Sequence, residues 1–192
     1  MDEAFSPIFE AIVFAVHDAG FFARSALEYD DAAQNRLEKI LNLIEECRFG
    51  VHDLSRTELS AEGLPRFNMP LELGLFLGCK RFGGTPHSRK ACLVLDRERY
   101  RFQRFVSDIA GQDIHSHSDD PRTAVREVSQ WLRTASRRRS IPGGAAIWRR
   151  YERFLVAIPA LCDELQIAQE ELTFVDRSRL ISEWLRVNAP RA

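Results

Sequence analysis

Ala91-Cys92-Leu93-Val94-Leu95-Asp96 is the stretch on which the fold turns. A continuous apolar run closed by an acid reads as a strand buried on both faces, the kind found inside parallel sheets. Before it, Gly83-Gly84-Thr85-Pro86 reads as a turn and Pro70–Lys80 as a helix rich in apolar residues. Further back, Phe49–Leu54 is a short strand. Asp31–Cys47 is an amphipathic helix, with Leu37, Ile40, Leu41 and Ile44 on one face. Phe21–Leu27 reads as another strand. After Asp96, Arg101–Ile109 is helical in whole or part, Asp113–His117 is a short strand, and Asp120-Pro121 opens a helix to Ala135. Strand and helix alternate from about 21 to 135, which predicts an α/β fold with a parallel sheet flanked by helices. Ligands of such sheets bind beyond the carboxyl ends of the strands. Here those ends hold Asp53, Ser55, Arg56 and Asp96.

At the amino end, Ser6-Pro7 reads as a cap followed by proline in the first helical turn. Ile8, Ala11, Ile12, Ala15 and Val16 follow at helical spacing, with Gly20 as the stop. The β-branched residues there leave a strand as the alternative. At the other end, Ala145–Glu164 and Arg177–Val187 are helical and have no strand to alternate with, so they predict a C-terminal helical extension. Ser140, Pro142, Gly143 and Gly144 mark the boundary, giving domains 1–139 and 140–192. Trp131, Trp148 and Trp184 are expected to pack the helices.

Composition narrows the function. The 192 residues carry a net charge of -1, and a pI near 6.5 argues against a nucleic-acid partner. The longest apolar run, Ala11–Val16, is far below the roughly 18 residues of a membrane span. The acidic Met1–Phe5 segment does not read as a secretory leader. Cys47, Cys79, Cys92 and Cys162 are widely spaced among apolar neighbours, as reduced core thiols of a cytoplasmic protein are. His115 and His117 have no further His or Cys nearby, so no metal is expected. Dinucleotide-binding, P-loop and serine-hydrolase glycine motifs are all missing. Charge is uneven: acids outnumber bases ten to three over residues 1–47, whereas seven arginines face one acid over 131–153. Opposite ends of this kind attract, within a chain or between copies. Arg137–Arg139 read as a solvated linker, with contact to phosphate as the alternative.

The chemistry-bearing residues cluster between 50 and 74. Asp53 and Ser55, at a strand's carboxyl end, suit hydrogen bonds to sugar hydroxyls. His52 and Asp53 are adjacent on a strand, so they face opposite sides and do not form a dyad. Asn68 stands just before a helix, and Glu72 is the only charge between Asn68 and Cys79. A buried acid there has a raised pKa and suits general acid/base or nucleophilic work. The alternative is a carboxylate favoured by the helix dipole or by solvent. Gln112 and Asp113 read either as polar groups at a site mouth or as a turn closing a helix.

A strand, Asp-x-Ser, a loop, then a helix with a lone Glu resembles the nucleoside 2-deoxyribosyltransferase-like and TIR-like superfamily. The resemblance covers roughly residues 7–135. It implies a flavodoxin-like sheet and chemistry on the bond between a nucleobase and a ribose carbon, with NAD a possible substrate and no separate cofactor. It implies Glu72 as the catalytic carboxylate and Asp53, Ser55 and Asn68 as ribose contacts, with Gln112 nearby. A role in bacterial antiviral defence, with a partner protein or a homo-oligomer, is likewise only implied. Folds of this group begin with a strand before the first helix. Here either that strand is absent or Ile8–Val16 is that strand. Three functions follow: an enzyme cleaving or exchanging an N-glycosidic bond, a non-catalytic nucleotide sensor, or an assembly module.

Overall fold

A computed structural model describes residues 7–28, 31–57 and 66–188. The expected Ser6 cap and most of the 57–67 loop lie outside the described residues. The chain is α/β: it has a three-stranded parallel sheet, and six α-helices among the described residues. It forms two compact units, Met1–Asp30 with Asp120–Ala192, and Asp31–Asp119. The Pro142–Gly144 segment lies inside the first.

The second unit holds the sheet. Strands β1 (Phe49–Asp53), β2 (Ala91–Asp96) and β3 (Ile114–Ser116) run parallel in that order, with β2 central. Asp53 is level with Leu95, and Asp96 with Ser116. Helix α2 (Arg36–Glu46) starts where the Asn35 side chain accepts the Glu38 N–H at 2.8 Å. Its other end is closed by the buried Lys90, whose ammonium donates to the carbonyls of Ile44, Glu45 and Cys47. A cation there satisfies otherwise orphaned carbonyls and opposes the helix dipole. Helix α3 (Asn68–Phe82) lays Leu73 into a core with Leu54, Val94 and Phe102. Burying each such side chain contributes about 1.5–3 kcal/mol.

Two expectations change here. Phe21–Leu27 is not a strand. The Glu28 carboxyl accepts the Ser25 N–H and pairs with Arg24, and Ser25 Oγ accepts the Leu27 N–H, so local bonds take the groups that a ladder needs. Arg101–Ile109 forms two separate 3-10 turns, Arg101–Arg104 and Ser107–Ile109, because the backbone swings out to φ -134 and -137 at Phe105 and Val106.

The first unit is helical: α1 (Pro7–Asp18), α4 (Pro121–Ser136), α5 (Gly144–Leu165) and α6 (Phe174–Asn188). Ile8–Val16 is therefore helix, not the strand that the alternative required. Phe14 is the hub of the core, its ring centroid 5.2 Å from Tyr151, 5.4 Å from Phe154 and 6.2 Å from Trp184. In α4, Ala124, Val125, Val128 and Leu132 are buried at helical spacing. Asp120 caps that helix, accepting the N–H groups of Arg122 and Thr123. The Pro-Gly-Gly stretch is a tight corner: Ser129 donates to the Pro142 carbonyl, and a Cβ at Gly144 would stand 2.6 Å from Arg126 Cα. The α4–α5 packing thus requires glycine there.

Burial holds two imidazoles neutral. His17, in this unit, and His52, on β1, are each lowered by burial to about 4. His52 makes no hydrogen bond among the described residues and packs edge-on against Phe76 at 5.3 Å. The unfolded chain protonates both near pH 6.5. It therefore binds more protons than the folded state between pH 6.5 and 4, and these two groups lower stability as pH falls through that window. Histidine NMR titration is expected to show both rings neutral at pH 5.5.

Candidate functional site at the carboxyl end of the sheet

Three parallel strands ending side by side bring their closing residues together. Asp53 leaves β1, Asp96 ends β2, and His117 follows β3. The outer strands meet across the end of the middle one: His117 Nε2 lies 3.3 Å from Asp53 Oδ1. His117 is fully buried, and its Nδ1 accepts the Asp119 N–H at 3.1 Å. That leaves Nε2 to carry the proton and donate it to Asp53. The Ser55 N–H donates to the same Asp53 oxygen at 2.9 Å. Burial pushes Asp53 upward, but the bonds from His117 and from the Ser55 N–H and hydroxyl outweigh it and hold the carboxyl below its ordinary range. The side chain is about a quarter exposed. An ionised, oriented carboxylate thus reaches solvent at the mouth of the sheet.

Behind it lies a hydrogen-bonded frame. Asp96 is fully buried, and its Oδ1 accepts Arg101 Nε at 2.8 Å, Arg101 Nη2 at 2.7 Å and the Arg97 N–H. Arg101 also donates to the Leu54 carbonyl at 2.6 Å, and Arg97 to that of Ser55 at 2.7 Å. Two arginines rooted after β2 therefore clamp the backbone that follows Asp53. The loops pay for this shape with left-handed backbone at Tyr100, Ser118 and Asp119, at φ 64, 53 and 54. Such strain, about 1–3 kcal/mol for each residue, collects at ligand sites.

The sequence-predicted residues do not all join this cluster. Asp53 and Ser55 do, but the Ser55 hydroxyl is buried and bonded to Asp53, so it orients the carboxylate. Asn68 is exposed at the first residue of α3. Glu72 is half-buried one turn later; burial raises its carboxyl, and the Arg36 guanidinium on α2 opposes that rise. No hydrogen bond links Glu72 to Asp53, Ser55 or Asn68 among the described residues. Gln112 is exposed and precedes the amino end of β3, whereas Asp53 and His117 sit at carboxyl ends, so topology separates it from them. His117, Asp96 and Arg101 complete the site. The Asp-His pairing runs to His117, not to the neighbouring His52. No group of three or more His, Cys, Asp or Glu residues able to hold a metal occurs among the described residues. Among them too, no helix is long and apolar enough to cross a membrane.

His117→Ala tests the electrostatics of the pair. Without the Nε2–H donor, burial dominates, and the Asp53 carboxyl is expected to rise above its wild-type value in a carboxyl-detected NMR titration.

Comparison with protein-family models, with curated proteins and with solved structures returned no match.

Proposed function

We propose that the sheet unit binds a nucleoside or nucleotide, NAD among the candidates, at the carboxyl ends of its strands, and cleaves or exchanges the N-glycosidic bond. The carrying observation is Asp53, held ionised by His117 and Ser55 beside solvent. A carboxylate so placed accepts two hydrogen bonds from a ribose diol. Glu72 supplies the second requirement, a carboxylate on the next helix, whose pKa burial raises and Arg36 restrains. In this reading the C1′–N bond breaks, and its electron pair leaves with the base. Glu72 stabilises or traps the positive charge at C1′ until water or a second base adds there. Asn68 contributes a further sugar contact. A flavodoxin-like arrangement of the sheet and a cytoplasmic role in defence belong to the same proposal.

A non-catalytic nucleotide sensor is the second reading. Arg36 beside Glu72, and the lack of a hydrogen bond from Glu72 to Asp53, favour it. Calorimetric titration with NAD, NADP, ribonucleosides and deoxyribonucleosides tests what both readings share. Asp53→Ala is expected to weaken binding of the active ligand at least roughly tenfold, the worth of a charge-assisted hydrogen bond. Equal affinity of wild type and variant counts against both readings.

A further inference from the structure

The charge asymmetry of the sequence plays no part in the nucleotide site, and the structure gives it a place. In α5, Ala146, Arg149, Arg153 and Val156 share one helical face and line an open groove of about 680 Å³. Arg149 and Arg153 are exposed, and Val156 is 83% exposed. Arg149 makes no hydrogen bond or ion pair among the described residues. Among the described residues Arg153 has only the Trp184 ring, 5.7 Å away. Arg150, on the flank, is already held by Asp18. Glu152 is the single acid in the lining, so the groove offers two unpaired guanidinium groups against one carboxylate, beside Ala146 and Val156.

Helix α2 carries the opposite pattern. Leu37, Glu38, Leu41 and Glu45 fall on one face at helical spacing. Leu37 is 49% and Leu41 42% exposed. Glu38 and Glu45 are exposed and their carboxylates are in no ion pair among the described residues. A soluble helix turns its leucines inward, yet here α2 buries only Lys39 and Ile44.

We infer that a second copy of this chain seats the Leu37–Glu45 face of its α2 in the α5 groove, pairing Glu38 and Glu45 with Arg149 and Arg153. The leucines cover Ala146 and Val156, removing apolar surface from water on both sides. The two faces belong to different surfaces, so the contact is heterologous and copies add head to tail. Opposite charge sets the register and speeds encounter.

Analytical ultracentrifugation of the full chain tests it, with concentration raised to about 100 µM, where even micromolar contacts are filled. Wild type is expected to exceed its 22.1 kDa chain mass. The association should weaken at least roughly tenfold when salt rises from low to molar ionic strength, since exposed charge pairs are screened. Arg149→Glu/Arg153→Glu has two acidic faces, and Glu38→Arg/Glu45→Arg has two basic ones. Each variant alone is expected to stay monomeric. All four positions are exposed, so folding is preserved, and circular dichroism checks it. Mixing the two variants is expected to restore association, because the acidic groove of one accepts the basic helix of the other. Wild type that stays monomeric throughout overturns the inference. So does association that the variants leave intact, or variants that fail to associate when mixed.

Discussion

Arg150→Ala is expected to cost about 3–5 kcal/mol of stability at neutral pH, the range for breaking a buried ion pair. Its guanidinium Nε donates to both Asp18 oxygens, at 3.0 and 2.9 Å, and Nη2 stands 2.7 Å from Oδ2. The side chains are only 8% and 2% exposed. Burial raises the Asp18 carboxyl, and Arg150 restrains that rise. Removing Arg150 lets burial act unopposed, so Asp18 goes still higher above its unfolded value. The folded variant then holds a proton where the unfolded chain does not, and its stability falls as pH rises through that window. Urea unfolding is expected to show a larger loss at pH 8 than at pH 5. Asp18→Leu/Arg150→Met, which removes both charges and keeps the volume, is expected to recover most of the loss. A loss independent of pH would mean that packing, not the stranded carboxylate, sets the cost.

Glu72→Gln is expected to lower base release at least thousandfold, about 4 kcal/mol of transition-state stabilisation. Gln matches the shape of Glu but carries no charge to meet the one developing at C1′. Affinity for the intact ligand should change little, because the proposed sugar contact is Asp53 in both proteins. The proposed reaction needs Glu72 ionised, and burial raises its pKa. Activity is therefore expected to fall on acidification at a higher pH than an ordinary glutamate would give. Arg36 opposes the rise, so Arg36→Ala should move that limb upward again. A pH profile that Arg36→Ala leaves in place would separate Glu72 from the chemistry.

The elements with strong local signals were legible in the sequence. Ala91–Leu95 reads as a buried strand from its unbroken apolar run, and β2 is central. The Asp120-Pro121 opening of α4 is legible because a cap and a first-turn proline are both local chemistry. Phe21–Leu27 misleads because its apolar side chains say nothing of Ser25 and Glu28, which claim the backbone donors. Asp53 was within reach of the rule that ligands sit beyond strand ends. His117 was not, since its partner stands 64 residues earlier, and β3, at three residues, is too short to fix the register of its own end. The Arg101 clamp was hidden in the same way: its role rests on the Asp96 carboxyl and the Leu54 carbonyl, which only the folded sheet brings together.

Nucleotide chemistry at the strand ends is open to direct assay. Chromatography of base released by the wild-type chain from NAD, NADP, ribonucleosides and deoxyribonucleosides tests it most directly. Release of free or exchanged base from at least one of them is expected. No release from any of them by a folded and monodisperse sample would contradict it, and binding without release would leave the sensor reading in its place.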